Sequence, residues 1–165
     1  MCSSDLYPQA RITWLAGKGK TVFSDPLAPL VKGLIDEVIE DAGIGSDWTE
    51  LFRRPLPGRH FDLVIDTQRR VLTTLILRRL DCDRFISGAM DFALSSQRPP
   101  SGYRKPVTMI RQILDLIEVA SGTAVEEKIA PLYDPASYSR ATSLLPDGKT
   151  YVGLVPGAEI GRAHV

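Results

Sequence analysis

The sequence predicts an α/β fold with a parallel, right-handed sheet. Three observations carry this. Strand-like and helix-like segments alternate along the chain. "FDLVIDT" (Phe61–Thr67) is a nearly continuous apolar run, as expected of a strand buried on both faces of a parallel sheet. Pro106–Ser121 carries a helical stripe of Val107, Ile110, Ile113, Leu114 and Ile117, closed by Gly122.

Each element has its own reason. "RITWLA" (Arg11–Ala16) is β-branched and aromatic and stops at Gly17, so it reads as a strand. Ser24 is a candidate N-cap with Pro26 in the first turn, and Leu27, Leu30, Val31 and Leu34 then share a helical face. Asp36–Glu40 reads as a short strand, and Gly43–Arg59 as a polar connection with one helix at Asp47–Arg53. After Phe61–Thr67 a helix is expected at Arg69–Leu80, with Val71, Leu72, Leu75, Ile76 and Leu80 inward, then a strand at Asp83–Ser87. Residues 123–149 are rich in turn formers (Pro131, Pro135, Pro146, Asp147-Gly148) and read as a connection. Tyr151–Val155 reads as a last strand, running into a turn at Pro156-Gly157-Ala158.

Composition excludes several function classes. With 20 basic and 20 acidic residues the chain has no global charge with which to attract nucleic acid. Its apolar runs are far short of a membrane span, and no basic-then-apolar leader opens it. Two cysteines make neither a metal set nor a disulfide framework, which fits a reducing cytoplasm.

Some motifs are weaker than they look. "GKGKT" (Gly17–Thr21) ends like a phosphate-binding loop, but Trp14 stands where that loop needs its first glycine. Val22 likewise breaks the dinucleotide pattern, leaving a solvated turn. His60 has no triad-like partner in sequence, and Cys82 sits between Asp81 and Asp83, which raise a thiol pKa. "VIDTQRR" (Val64–Arg70) is more informative. Polar residues Asp66, Thr67 and Gln68 cluster at a strand's carboxyl end, where open α/β sheets bind ligands. Arg69 and Arg70 follow at a helix start, against the helix dipole, which favours an anionic ligand over bare surface charge. Asp66 or Thr67 as a plain helix cap is the competing reading.

The two ends fit nothing around them. "MCSSDL" (Met1–Leu6) and "EIGRAHV" (Glu159–Val165) resemble the two strands of one sequencing adapter in translation. On that reading the natural text is Tyr7–Ala158, an internal piece of a longer gene. Setting aside Asp5, Glu159 and Arg162 leaves the charge balance near neutral.

Within Tyr7–Ala158 the order of motifs resembles glycosyltransferase family 9, the lipopolysaccharide heptosyltransferase-like enzymes. "YPQARITWLA" is similar to the family's second strand, and "DPLAPLVKGLIDEVIED" to the helix and strand that follow. "FDLVIDTQ" is similar to the Tyr/Phe-Asp-x-x-Ile-Asp-x-Gln strand, and "DRFISGA" to the next. "YVGLVPGA" is similar to the first strand of the C-terminal domain. The sequence departs from the family after Asp-x-Gln. Arg69 and Leu72 stand where many members carry Gly and a basic residue.

The resemblance implies a GT-B architecture of two Rossmann-like domains. Residues 7–122 would be part of the N-terminal acceptor domain, lacking its first strand. Residues 123–149 would link the domains, and 150–158 would begin a mostly missing donor domain. It further implies inverting transfer from a nucleotide-diphosphate sugar to a glycolipid acceptor of the lipopolysaccharide-core type, without metal or other cofactor. Such an enzyme is cytoplasmic, and peripheral contact with the inner membrane is compatible with its acceptor. Asp66, Gln68, Arg69 and Arg70 would bind the acceptor. Pro156, Gly157 and Ala158 would present backbone N–H groups to the donor phosphates. The catalytic base would lie upstream of Tyr7, so this piece alone would be inactive. The other readings are a stand-alone α/β nucleotide- or phosphate-binding module and a non-catalytic GT-B relative.

Overall fold

The computed structural model describes residues 6–127, 135–145 and 148–152. The chain divides into two units, Met1–Pro131 and Leu132–Val165. The first is an α/β unit built on parallel strands. Strand β1 (Thr13–Leu15) pairs in parallel with β2 (Glu37–Ile39), with Trp14 opposite Val38. Between them lies one short helical turn, α1 (Ala28–Val31).

The longer helix expected from Ser24 does not form. The Ser24 hydroxyl donates to Glu40 (2.7 Å) instead of capping, and Leu27 occupies the cap position. Lys32 turns extended and Gly33 left-handed (φ 83°), which ends the turn before Leu34.

A 3-10 helix, Trp48–Phe52, leads to β3 (His60–Asp66), α2 (Val71–Leu77) and β4 (Asp81–Ser87). β3 and β4 pair in parallel, with Val64 opposite Phe85 and Ile65 opposite Ile86. Successive side chains point to opposite faces of this ribbon. Val64 and Phe85 pack with Ile44, Ile76, Leu77 and Leu80 on the α2 side. Leu63, Ile65 and Ile86 pack with Phe92, Leu116 and Ala120 on the other, beneath α3 (Met109–Ser121). Packing partners on both faces explain why the β3 sequence is almost continuously apolar, although Phe61, Leu63, Val64 and Ile65 are each only partly buried.

The two helices bury only part of the faces expected: Ile76 and Leu80 are buried and Leu72 packs against the core, but other positions differ. In α2 the buried positions are Thr73, Thr74, Ile76 and Leu77, while Val71 is exposed. In α3 they are Asp115, Leu116 and Ala120, while Ile110, and Val107 just before the helix, face solvent. Gly122 closes α3 in the left-handed conformation (φ 71°), as its position suggests.

The outer edge of β4 is covered by its own chain. The Ser96 N–H donates to the Phe85 carbonyl (2.7 Å), and the hydroxyls of Ser95 and Ser96 accept from Ser87 N–H and Phe85 N–H. The return is made by a left-handed turn at Met90, Asp91 and Phe92 (φ 51°, 51° and 64°). Burial of Phe92 edge-on against Tyr103 (centroids 5.4 Å apart) offsets that backbone strain.

The inner edges of β1 and β3 do not pair with each other. A narrow cavity of about 170 Å³ separates them, bordered by consecutive residues Thr13–Leu15 and Leu63–Gln68. Lining by consecutive residues means that the strand edge, and not one face, borders the gap.

The second unit holds α4 (Pro135–Leu144), an exposed ten-residue helix within the stretch expected to be an irregular connection. Tyr151 and Val152 carry no regular structure. The rest of the strand expected at Tyr151–Val155 lies outside the described residues, as do Glu159–Val165 and Met1–Asp5 of the adapter-like ends. Leu6 is half-buried. Among the described residues no helix is long and apolar enough to cross a membrane.

Gly17, just past β1, sets a sharp test of packing. A Cβ there would lie 2.1 Å from the Ile44 carbonyl oxygen, which is backbone and cannot swing away. Gly17→Ala is expected to lower unfolding free energy by about 1–3 kcal/mol, as overpacking does. Urea denaturation checks this; a midpoint equal to wild type would show that the two loops are not held together.

Candidate functional site

The carboxyl ends of β1 and β3 meet around an open cavity of about 710 Å³. That lies within the range of small-molecule sites. Three segments wall it: the turn after β1, the loop 44–48, and the end of β3 with the first turn of α2.

The turn after β1 is pinned by carboxylates. Gly19 N–H donates to Asp41 (2.6 Å), and Thr21 N–H donates to Glu40 (2.8 Å). Those amides are the groups a phosphate would need, so "GKGKT" is no phosphate cradle. The turn is also less free than the sequence suggested.

The loop 44–48 is organised by Glu50. Its carboxylate accepts from Gly45 N–H (2.7 Å) and Asp47 N–H (3.4 Å) and pairs with the Lys18 ammonium. The Lys18 hydrogen bond holds Glu50 below the usual carboxylate range and raises Lys18 in turn. Asp47 completes a capping box by accepting from Thr49 N–H (3.0 Å). That box fixes Trp48 at the cavity wall with 70% of its surface exposed. Thr73 of α2 closes the arrangement by donating to the Gly45 carbonyl (3.0 Å).

The β3 side depends on Asp66. It is 1% exposed, and its carboxylate accepts from Gln68 N–H (2.8 Å), Thr74 Oγ1 (2.6 Å) and Ser87 Oγ (2.8 Å). Burial pushes its pKa above the ordinary value, and the three hydrogen bonds pull back only part of that. The chain beyond it splits. Gln68 and Arg70 line the cavity. The Arg69 guanidinium instead reaches toward Gly88, with Nη2 3.8 Å from where a Cβ would stand. Of the four candidate acceptor residues, the cavity therefore gathers Gln68 and Arg70. Asp66 serves as the tie behind them, and Arg69 lies on another side. Pro156, Gly157 and Ala158 lie outside the described residues.

Comparison of the chain with protein-family models, with curated protein sequences and with solved structures finds no match. Functional reading rests on the geometry and the sequence.

Electrostatically, Lys18 is matched by Glu50, and Asp47 is engaged at its cap, whereas Arg70 makes no ion pair with any described residue. The cavity is thus set up to bind an anionic or strongly polar ligand. Lys18, Glu50 and Trp48 were not picked out by the sequence reading. The Asp-x-x-Glu spacing of Asp47 and Glu50 was the signal available for them.

Other polar clusters are structural. His60 lies between Asp81 (3.5 Å) and Asp83 (3.4 Å) at the amino end of the ribbon. Desolvation lowers its pKa, but both aspartates outweigh this and the net shift is upward. Asp81 and Asp83 have the Asp-x-Asp spacing of some metal sites, yet no metal-holding group of three exists among the described residues. Cys82 is raised by burial first and by these aspartates second. Tyr103 donates to Asp115 (2.7 Å), and burial with that bond lifts it to about 12. Arg111 joins Asp115 (2.8 Å), Glu118 and the Val125 carbonyl (2.9 Å), fastening the chain after α3.

The raised pKa of Asp66 has a defined consequence for stability. Below the ordinary aspartate value, 3.8, both folded and unfolded states carry the proton. As pH rises through that value the unfolded state loses it first, so stability falls until the folded pKa is passed. Asp66→Asn is expected to flatten this fall in urea melts run at a series of pH values. An unchanged slope would mean that Asp66 is not the group responsible. Asp66→Ala would strand the two buried hydroxyls and is expected to cost about 1–3 kcal/mol or more at any pH.

Proposed function

We propose that this chain belongs to a glycosyltransferase of the GT-B type, similar to family 9, and that the cavity at the ends of β1 and β3 receives its acceptor. The observation that carries the reading is Arg70, a cation with no ion pair among the described residues, which lines the cavity with Gln68 just past the carboxyl end of the parallel strand β3. Two further features support it. The motif order from Arg11 to Ala89 follows the family's, and the gap between the edges of β1 and β3 is compatible with a Rossmann-like sheet in which another strand lies between them.

In such a reaction a base removes the acceptor hydroxyl proton, and the oxygen attacks the anomeric carbon of the donor sugar. The bond to the nucleotide diphosphate breaks with inversion. Donor phosphates would be held by N–H groups around Pro156, Gly157 and Ala158. Residues of this cavity would orient the acceptor and balance its negative charge. The enzyme would work in the cytoplasm on a glycolipid presented at the inner membrane.

The test is steady-state kinetics of the transferase that contains this chain, varying each substrate separately. Arg70→Ala should lose a charge-assisted contact of about 1.5–3 kcal/mol, a ten- to hundredfold fall in kcat/KM for acceptor. Donor KM should not change. Arg69→Ala, whose side chain points toward Gly88, should have the smaller effect. Acceptor kinetics untouched by Arg70→Ala would refute the assignment.

A further inference from the structure

We infer that Trp48 is the stacking platform of this cavity, the residue that selects a ring-shaped sugar over a bare anion. The inference rests on reading the cavity as an acceptor site and adds a specificity residue to it. Three observations lead to it. A tryptophan is ordinarily well buried, yet Trp48 is 70% exposed on the wall of a polar cavity. Its ring has no aromatic partner among the described residues, in contrast to Trp14, which packs edge-on against Phe23 (4.7 Å). Its backbone is fixed by the Asp47–Glu50 capping box, and the loop before it is fixed by the Thr73 bond to Gly45. A large apolar side chain on a fixed backbone is therefore left open on the cavity whose walls also carry Arg70 and Gln68.

That combination fits one chemistry best. A pyranose presents a face of C–H groups and a rim of hydroxyls. The flat indole covers the first, while Gln68 and Arg70 address the second. An isolated phosphate would use Arg70 and ignore Trp48. A nucleobase would stack as well, with Leu15, Ile44 and Leu77 also on the walls, so adenosine is the control that separates the two.

The experiment uses the 165-residue chain carrying Trp14→Phe, so that Trp48 is the sole tryptophan. Its fluorescence is titrated with methyl glucoside, inorganic phosphate and adenosine. Methyl glucoside is expected to shift the emission of Trp48, and adenosine to bind no more tightly. Phosphate should compete only through Arg70. Binding of methyl glucoside, followed by ligand-detected NMR, should weaken about two- to tenfold in Trp48→Ala, in line with aromatic contacts, and recover in Trp48→Tyr. Because the side chain is exposed, these variants should unfold at the wild-type urea midpoint. Phosphate binding unaffected by Trp48→Ala, with no response to methyl glucoside, would overturn the platform and leave an anion-binding acceptor site. Tighter binding of adenosine than of methyl glucoside would overturn it also. Glucoside binding that depends on Trp48, alongside acceptor kinetics indifferent to Arg70, would uphold the platform and remove the transferase reading.

Discussion

A single buried carboxylate sets the geometry of the β3 end. Asp66 ends an apolar strand inside the protein, where a charge without partners would be expensive. It is held by three donors from three different places: the turn that follows it, helix α2, and the end of β4. Each bond removes a degree of freedom. The Gln68 N–H bond forces the chain to turn at once. The Thr74 bond draws α2 onto the ribbon and, with the Thr73 bond to Gly45, explains two buried threonines that the expected inner face of that helix did not include. The Ser87 bond fixes β4 in register at its last residue. Gln68 and Arg70 reach the cavity because this knot leaves the backbone no other course.

The rest of the first unit is graded around that knot. β3 and β4 are seven residues each and packed against on both faces, with Phe85 and Ile86 of β4 buried and the apolar residues of β3 partly so, whereas β1 and β2 are three each and partly covered. The difference follows from the neighbours. The ribbon has α2 on one side, α3 on the other, and Ser95 and Ser96 along its outer edge. β1 has β2 on one edge and the narrow gap on the other. Unpaired edges of this kind are a liability in water. The contacts made by Gly17 with Ile44 and by Thr73 with Gly45 are what bring the β1 side and the ribbon to a common cavity.

How much of this was legible in the sequence depended on whether a pattern had one solution. Phe61–Thr67 had one, since a long apolar run ending in Asp-Thr-Gln reads as a buried strand and little else. The segment of α3 had a helical period but apolar residues on most sides, so periodicity gave the helix and not its buried face. Ser24 looked like a cap, yet Glu40 competes for its hydroxyl and Gly33 cuts the helix short. Pro135–Leu144 was hidden by its serines and threonines, which favour turns locally but do not forbid a helix. At the site, Gln68 and Arg70 were accessible to a rule about strand ends. Asp66 and Arg69 were not separable from them, because one residue of chain decides which way a side chain points. Trp48 lies 18 residues before the end of β3, and no local pattern ties it to Arg70; only the fold does.

The cavity gains its character by subtraction. Glu40 and Asp41 are spent on the turn after β1, Glu50 on Lys18 and the loop amides, and Asp47 on its cap. Each carboxylate near the site is thereby kept from Arg70, which stays uncompensated at the wall. The same bonds that stiffen the loops decide the sign of the ligand they can accept. Rigidity and charge selection at this site are therefore one property, and the carboxylate of Glu50, bonded to Gly45, Asp47 and Lys18 together, is where the two meet.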